Sequence, residues 1–74
     1  MFNQLIKNKI EMETQKYYRT HGKNPSKTVR GMWLFLNSKD KSSEIHGASG
    51  TLREAGRLVA DFYGCKIKDL EVQP

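Results

Sequence analysis

Apolar residues recur at helical spacing in some stretches of this 74-residue chain and at extended spacing in others. A first helical stripe near the N-terminus comprises Phe2, Ile6, Ile10 and Tyr17. Its period predicts a helix over about residues 3–19. Gly22 is the expected stop, because glycine tolerates the left-handed conformation that follows a helix end. A basic loop over residues 20–28 comes next, and Pro25 within it cannot continue the helix.

The stretch at residues 28–37 is rich in β-branched and aromatic residues, which predicts a β-strand. Alternation gives this strand two apolar faces, one with Trp33 and Phe35 and the other with Met32, Leu34 and Leu36. A strand of this kind is expected at the centre of a sheet, covered on both sides. Residues 42–46 are predicted to return as a second, antiparallel strand. The small residues at positions 47–50 are interpreted as a connector.

The segment from Leu52 to Tyr63 carries the clearest helical pattern in the chain. Its apolar stripe comprises Leu52, Ala55, Val59 and Phe62. Thr51 and Glu54 have the spacing of a capping box, and Gly64 is placed to end the helix. The glycines before the helix are interpreted as a strand-to-helix turn, and a phosphate contact at the first helix amides is the alternative.

These elements predict a single small domain of the α+β class over residues 1–74, with the order α-β-β-α-β. Short strands at residues 65–67 and 70–72, separated by a bend, complete that order. The parts are the N-terminal helix, the basic loop and a ββαβ unit over about residues 29–72. The Leu52–Tyr63 helix is expected to pack on a small, mainly antiparallel sheet, and the N-terminal helix on the other face or on a partner. A chain this short buries a thin core, which argues against a large active-site cleft.

Composition narrows the classes of protein that this chain can belong to. Hydrophobic residues make up 36% and charged residues 28%, a balance typical of globular domains. We expect no membrane-spanning segment, because no apolar run approaches the roughly 20 residues that one needs. The single cysteine, Cys65, excludes an internal disulfide and favours a cytoplasmic location. His21, His46 and Cys65 fit no metal-ligand spacing, and no carboxylate is placed to orient His46 beside Ser49. We therefore expect no metal, no cofactor and no enzymatic activity.

The net charge of +5 is concentrated in about one third of the chain. Six basic residues and no acidic residue lie between Thr14 and Lys39. Basic groups can follow a phosphate backbone, and aromatic rings in the same segment offer faces on which bases stack. The candidate nucleic-acid or partner-binding residues are Lys16, Tyr18, Arg19, Lys23, Lys27, Arg30 and Trp33. The plainer interpretation is that the charges keep a small domain in solution while Trp33 packs in its core.

Trp33, a hairpin and the hexapeptide Gly50-Thr51-Leu52-Arg53-Glu54-Ala55 at a helix start resemble a plant DNA-binding domain and its phage-integrase relatives. That family reads DNA with a three-stranded sheet, so the resemblance implies a sheet that faces DNA. It covers the middle half of the chain. The arginine-rich first strand and second tryptophan of the family are missing here, so no residue role is carried over.

Two functions follow from these features. The first is a non-enzymatic accessory protein that binds nucleic acid through residues 16–39. The second is a protein-interaction module, such as a small phage or bacterial regulator that docks on a larger, acidic protein. Its surface would be the N-terminal helix or an exposed strand edge, in a monomer or a homodimer.

Overall fold

Two helices, a three-stranded sheet and a turn of 3₁₀ helix make up the protein in the computed structural model, which describes residues 12–40 and 42–74. The α+β class and the order of the elements are confirmed. In chain order the elements are α1 (Gln15–His21), β1 (Gly31–Asn37), β2 (His46–Gly50), α2 (Leu52–Tyr63), the 3₁₀ turn (Ile67–Asp69) and β3 (Leu70–Val72). The predicted strand at residues 65–67 is wrong, because residues 65 and 66 follow α2 in a bend and Ile67 begins the 3₁₀ turn.

The sheet is antiparallel, with the strand order β2-β1-β3, so β1 is central as predicted. Trp33 lies opposite Ala48, and Phe35 lies opposite both His46 and Val72. Helix α2 packs on the face that carries Phe35, Leu70 and Val72, all of which are fully buried. The hydrophobic core therefore lies between α2 and one face of the sheet.

The other face of the sheet is exposed where the sequence predicts cover. Met32 keeps 66% and Leu34 keeps 41% of its surface accessible. Within the described residues, α2 covers one face only. Most of the N-terminal stripe that was predicted for the other face lies outside these residues, so cover on both sides stays a prediction. Alternation identifies two apolar faces, but the number of layers packed on them depends on the rest of the chain.

The second strand lies further along the chain than predicted. It spans His46–Gly50, so the residues interpreted as a connector form β2 itself. A Cβ atom at Gly47 would lie only 2.6 Å from Cδ2 of Leu34 on the neighbouring strand. Small residues are therefore suited to β2, because the facing side chains of β1 are bulky. Small residues have a weak strand propensity, so the sequence pattern alone does not indicate a strand at these positions.

The first strand is shorter than predicted and begins at Gly31. Upstream, the hydroxyl of Ser26 accepts hydrogen bonds from the amides of Thr28 and Val29, both at 3.2 Å. This local turn occupies the amides that a strand would use. Residues 28–30 therefore belong to the loop.

Helix α1 lies in the C-terminal part of the predicted span 3–19, and the helix does not extend back through residues 12–14. The amide of Glu13 donates to the carbonyl of Leu70, and the amide of Val72 donates to the carbonyl of Glu13, at 2.9 and 2.8 Å. These bonds make a parallel bridge to β3 that is incompatible with helix. Gly22 ends α1 as predicted, with φ of 74°. Residues 1–11, with most of the predicted apolar stripe, lie outside the described residues.

Helix α2 has the predicted bounds, and its capping box is complete. The hydroxyl of Thr51 accepts from the amide of Glu54, and the Glu54 carboxylate accepts from the amide of Thr51. Gly64 ends the helix in the left-handed conformation. Phe62 departs from the prediction, because 66% of its surface is exposed while Leu52, Ala55 and Val59 are buried. The capping carboxylate occupies the helix start, which favours the strand-to-helix turn over the phosphate contact.

No helix in the described part of the chain is long and apolar enough to cross a membrane.

Candidate nucleic-acid interface

Three basic side chains of the segment between Thr14 and Lys39 are paired with carboxylates from other parts of the chain. Lys16 Nζ lies 3.2 Å from Glu71 Oε1, and Arg30 Nη1 lies 2.9 Å from Glu54 Oε1. Lys39 Nζ lies 3.9 Å from Asp69 Oδ1. All three cations are at least half exposed, so each pair is a weak surface ion pair that a competing phosphate can displace.

Arg19, Lys23 and Lys27 form the remaining basic group, and we call them the loop cations. All three are exposed, and none has a carboxylate within ion-pair distance among residues 12–40 and 42–74. Arg19 lies in the last turn of α1, and the two lysines lie on the loop that follows. Their positive charge is therefore available to an external anion.

The loop that carries these lysines has one buried residue and one internal turn. Pro25 is buried, although its neighbours on both sides are more accessible. One residue further on, the Ser26 hydroxyl organises the turn into β1. Lys23 and Lys27 thus lie on either side of the buried Pro25 and the Ser26 turn, which restrict the conformation of the loop between them.

Tyr18 lies next to the loop cations with 53% of its surface exposed. Its side chain lines a shallow, open depression of about 490 Å³. The other lining residues are Glu13, Thr14, Gln15, Arg19 and Asn24. The sequence does not indicate that Asn24 lines this depression, because Asn24 comes close to α1 only through the turn at Gly22. The depression is open rather than enclosed, so it suits a contact with part of a larger molecule more than the binding of a small molecule.

Trp33 belongs to the core rather than to a binding surface. Its indole N–H donates to the carbonyl of Gly50 at 3.2 Å, and the side chain packs against the buried cluster. Its ring centroid lies 6.2 Å from that of Tyr17, which itself stacks on His21 at 4.1 Å. The core interpretation of Trp33 therefore fits the structure, and Tyr18 is the aromatic side chain available beside the loop cations.

The sheet itself does not have the character of a surface that reads DNA. None of the strands β1, β2 and β3 contains lysine or arginine. The exposed face presents Met32 and Leu34, and Glu71 lies opposite Leu36. Contacts to phosphates and base edges need basic and polar donors, so the DNA-facing sheet implied by the resemblance is not favoured here.

The histidine and cysteine side chains take part in packing. The ring of His46 lies 4.1 Å from that of Phe62 and 5.3 Å from that of Tyr63. The Tyr63 hydroxyl lies within hydrogen-bonding distance of the carbonyls of Phe35 and Glu44, which share its one proton, and burial raises the pKa of this phenol. Burial, with a smaller effect from Asp69, also raises the pKa of the Cys65 thiol. Within the described residues, no three metal-ligating side chains come together.

Comparisons with known proteins place the chain in no family. It matches no protein-family model, no curated protein and no solved structure. Its function is therefore inferred from the charge, exposure and contacts of its own residues.

Proposed function

We propose that this protein is a small, non-enzymatic accessory protein that binds nucleic acid through its basic segment. The observation that supports the proposal most is the group of loop cations, Arg19, Lys23 and Lys27, which are exposed and lack carboxylate partners in the described part of the chain. They contact phosphates, and Tyr18 beside them offers its ring to an unpaired base.

Lys16 and Arg30 have a secondary role in this proposal. Each must exchange a carboxylate for a phosphate, so its net gain on binding is smaller than that of an unpaired cation. Trp33 contributes through the fold rather than by contact. Because the contacts are mainly to phosphates, binding depends little on base sequence.

The test is the salt dependence of binding to fluorescently labelled single- and double-stranded oligonucleotides, measured by anisotropy. Three phosphate contacts predict a slope of about −2 to −3 in log affinity against log salt concentration. Between about 50 and 200 mM salt, the affinity should then fall by about 15- to 60-fold. An affinity that does not change with salt contradicts the proposal.

A matched pair of double variants separates this surface from general basicity. Lys23→Ala with Lys27→Ala should reduce the slope by about two. Lys66→Ala with Lys68→Ala removes the same charge from exposed positions around the 3₁₀ turn and should leave the slope nearly unchanged. Equal effects of the two pairs would show that binding depends only on the net charge of the protein and not on this surface.

A second candidate function is docking on a larger, acidic protein, as a small phage or bacterial regulator would do. The exposed apolar face of the sheet, with Met32 and Leu34, favours it. The test is capture from a lysate with and without nuclease. A discrete protein that survives nuclease, and is lost with Met32→Ser and Leu34→Ser, supports docking. Recovery of nucleic acid alone supports the first proposal.

A further inference from the structure

The two edges of the sheet differ in whether their hydrogen-bonding groups are used. At the β3 edge, Glu13 accepts from Val72 and donates to Leu70. At the other edge lies β2, whose residues His46–Gly50 pair with β1 on one side. No other described segment pairs with the outer side of β2.

The register shows which groups of β2 point outward. The amide of Gln73 donates to the carbonyl of Leu34, so the polar backbone groups of Leu34 face β3. Since these groups alternate along a strand, Trp33 and Phe35 bond to β2 through Ala48 and His46. The amides and carbonyls of Gly47 and Ser49 therefore point away from β1, on the outer side of β2.

This edge lacks the features that commonly prevent edge strands from pairing. Charged side chains, proline and bulges serve that purpose in many proteins. The sequence of β2, His-Gly-Ala-Ser-Gly, contains no lysine, no acidic residue and no proline, and its pairing with β1 is continuous. As far as residues 12–40 and 42–74 are concerned, the edge is therefore open to a further strand.

One flank of α2 extends an apolar surface beside this edge. Leu58 and Phe62 are one helical turn apart and expose 60% and 66% of their surface. Phe62 contacts His46 at the start of β2. The opposite side of α2 faces β3, because a Cβ atom at Gly56 would lie 3.7 Å from Leu70. The Leu58–Phe62 flank thus overlies the β2 edge.

We propose that the β2 edge and the Leu58–Phe62 flank together bind a second copy of this chain. A two-fold axis through Ala48, perpendicular to the sheet, pairs Gly47 of one copy with Ser49 of its partner and the reverse. This register forms four backbone hydrogen bonds and brings together two Ala48 methyl groups, which are small enough for the close approach. Both α2 helices then lie on the same face of a six-stranded sheet, and their apolar flanks meet.

The register favours a second copy as the occupant, because each β2 offers the other the same outward amides and carbonyls across a two-fold axis. Each chain carries a net charge of +5, so two copies repel one another overall, and a neutral contact surface keeps that repulsion smallest. The patch formed by β2, Leu58 and Phe62 contains no lysine or arginine, whereas the loop cations belong to α1 and the loop after it. An edge strand and two large apolar side chains bury about 500 Å² per copy, near the lower limit for a specific interface. The dimer is accordingly weak, with a dissociation constant in the micromolar range or above.

The test is sedimentation equilibrium of the nuclease-treated 74-residue chain from low micromolar to near-millimolar concentration. The wild type should shift reversibly from monomer to dimer. Ser49→Pro removes an outward amide without touching the β1 ladder and should weaken association at least tenfold. Ser49→Ala keeps the amide and should associate like the wild type. A mass that stays at the monomer value throughout overturns the proposal.

A second pair of variants tests the helix flank. Leu58→Lys places a charge in the interface, whereas Val29→Lys places the same charge at another exposed apolar position. Only Leu58→Lys should abolish the dimer, with circular dichroism and the urea midpoint confirming that both variants fold. A dimer that persists in Ser49→Pro and Leu58→Lys uses a different surface and also overturns the proposal. This inference does not rest on nucleic-acid binding, because the two sets of variants alter different residues.

Discussion

At the scale of single residues, two glycines face each other across the sheet but have different roles. Gly31 and Gly50 are directly opposite in the register of β1 and β2. Gly50 has a φ of 130°, and a Cβ atom there would lie 2.9 Å from the capping oxygen of Glu54. Gly31 has no such restriction, and a Cβ atom there would meet nothing within 4 Å. The backbone conformation at the end of β2 therefore requires glycine, and the one at the start of β1 does not.

This difference predicts opposite outcomes for the same substitution at the two positions. Gly50→Ala should lower the free energy of unfolding by about 1–3 kcal/mol, because a non-glycine residue is strained at that φ. Gly31→Ala should change it by no more than about 0.5 kcal/mol. Urea denaturation checks both, with an unchanged slope as the sign of an intact fold. Equal losses would contradict the assigned roles.

The Cys65 side chain gives a second prediction at this scale. Because burial raises the pKa of its thiol, the reactive thiolate forms at higher pH than in free cysteine. Alkylation with iodoacetamide near neutral pH should therefore be slower in the folded protein than in the urea-unfolded protein. The pH–rate profile of the folded protein should also be displaced to higher pH. Equal rates in the two states would show that the thiol is not shielded.

At the scale of elements, the two helices differ in how much of their stability is local. Helix α2 has a capping box at its start, a left-handed glycine at its end and a buried stripe between them. Helix α1 has seven residues, and the side chain of Thr14 at its N-cap makes no capping hydrogen bond. So short a helix is unstable alone, so α1 depends on its contacts with the rest of the fold.

The two N-cap threonines provide a matched comparison. Thr51→Ala should lower the free energy of unfolding by about 1 kcal/mol, because the amide of Glu54 loses its acceptor. Thr14→Ala removes the same hydroxyl from a position where it makes no capping bond and should have little effect. Thermal and urea unfolding of both variants measures the difference. A larger effect at Thr14 would contradict the capping assignment.

The capping box also predicts a dependence of stability on pH. The hydrogen bond from the Thr51 amide, followed by the charge of Arg30, lowers the pKa of Glu54 below its ordinary value. A carboxyl group whose pKa is lower in the folded state stabilises the fold above its unfolded pKa. That contribution is lost as the pH falls through the folded pKa. Unfolding free energies of wild type and Glu54→Gln should therefore differ near neutral pH and converge in acid.

At the scale of the whole molecule, a small core depends on a few long-range contacts. Met12 keeps 7% of its surface accessible and lies against Gly56 of α2, where a Cβ atom would come within 3.0 Å of its sulfur. The next residue, Glu13, is bonded to β3. The chain just before α1 is thus tied to both the helix and the sheet.

This anchoring predicts that two methionines respond very differently to truncation. Met12→Ala should lower the free energy of unfolding by about 2–4 kcal/mol, because it leaves a cavity between α2 and β3. Met32→Ala removes the same atoms from the exposed face of the sheet, where 66% of the residue's surface is accessible, and should cost less than about 0.5 kcal/mol. Equilibrium urea unfolding measures both. Similar losses would mean that the exposed face is covered.

Local signals in the sequence were sufficient for the fold class, the order of the elements and both ends of α2. The capping box, the Gly64 stop and the apolar period lie within a few residues of one another, and each acts through neighbouring backbone groups. The basic segment was also visible, because charge can be read directly from the residues. The sequence does not show how many of these cations remain unpaired, because Lys16 and Arg30 pair with Glu71 and Glu54, which are far away in the sequence.

Tertiary structure decided the features that depend on a distant partner. The small residues of β2 form a strand because Leu34 and Trp33 lie across from them, and Glu13 leaves helix geometry because β3 offers it two hydrogen bonds. Phe62 continues the stripe of α2 in sequence but packs against His46 of the edge strand and stays largely exposed. Periodicity identifies which residues can share a face, whereas only packing determines whether another element covers that face.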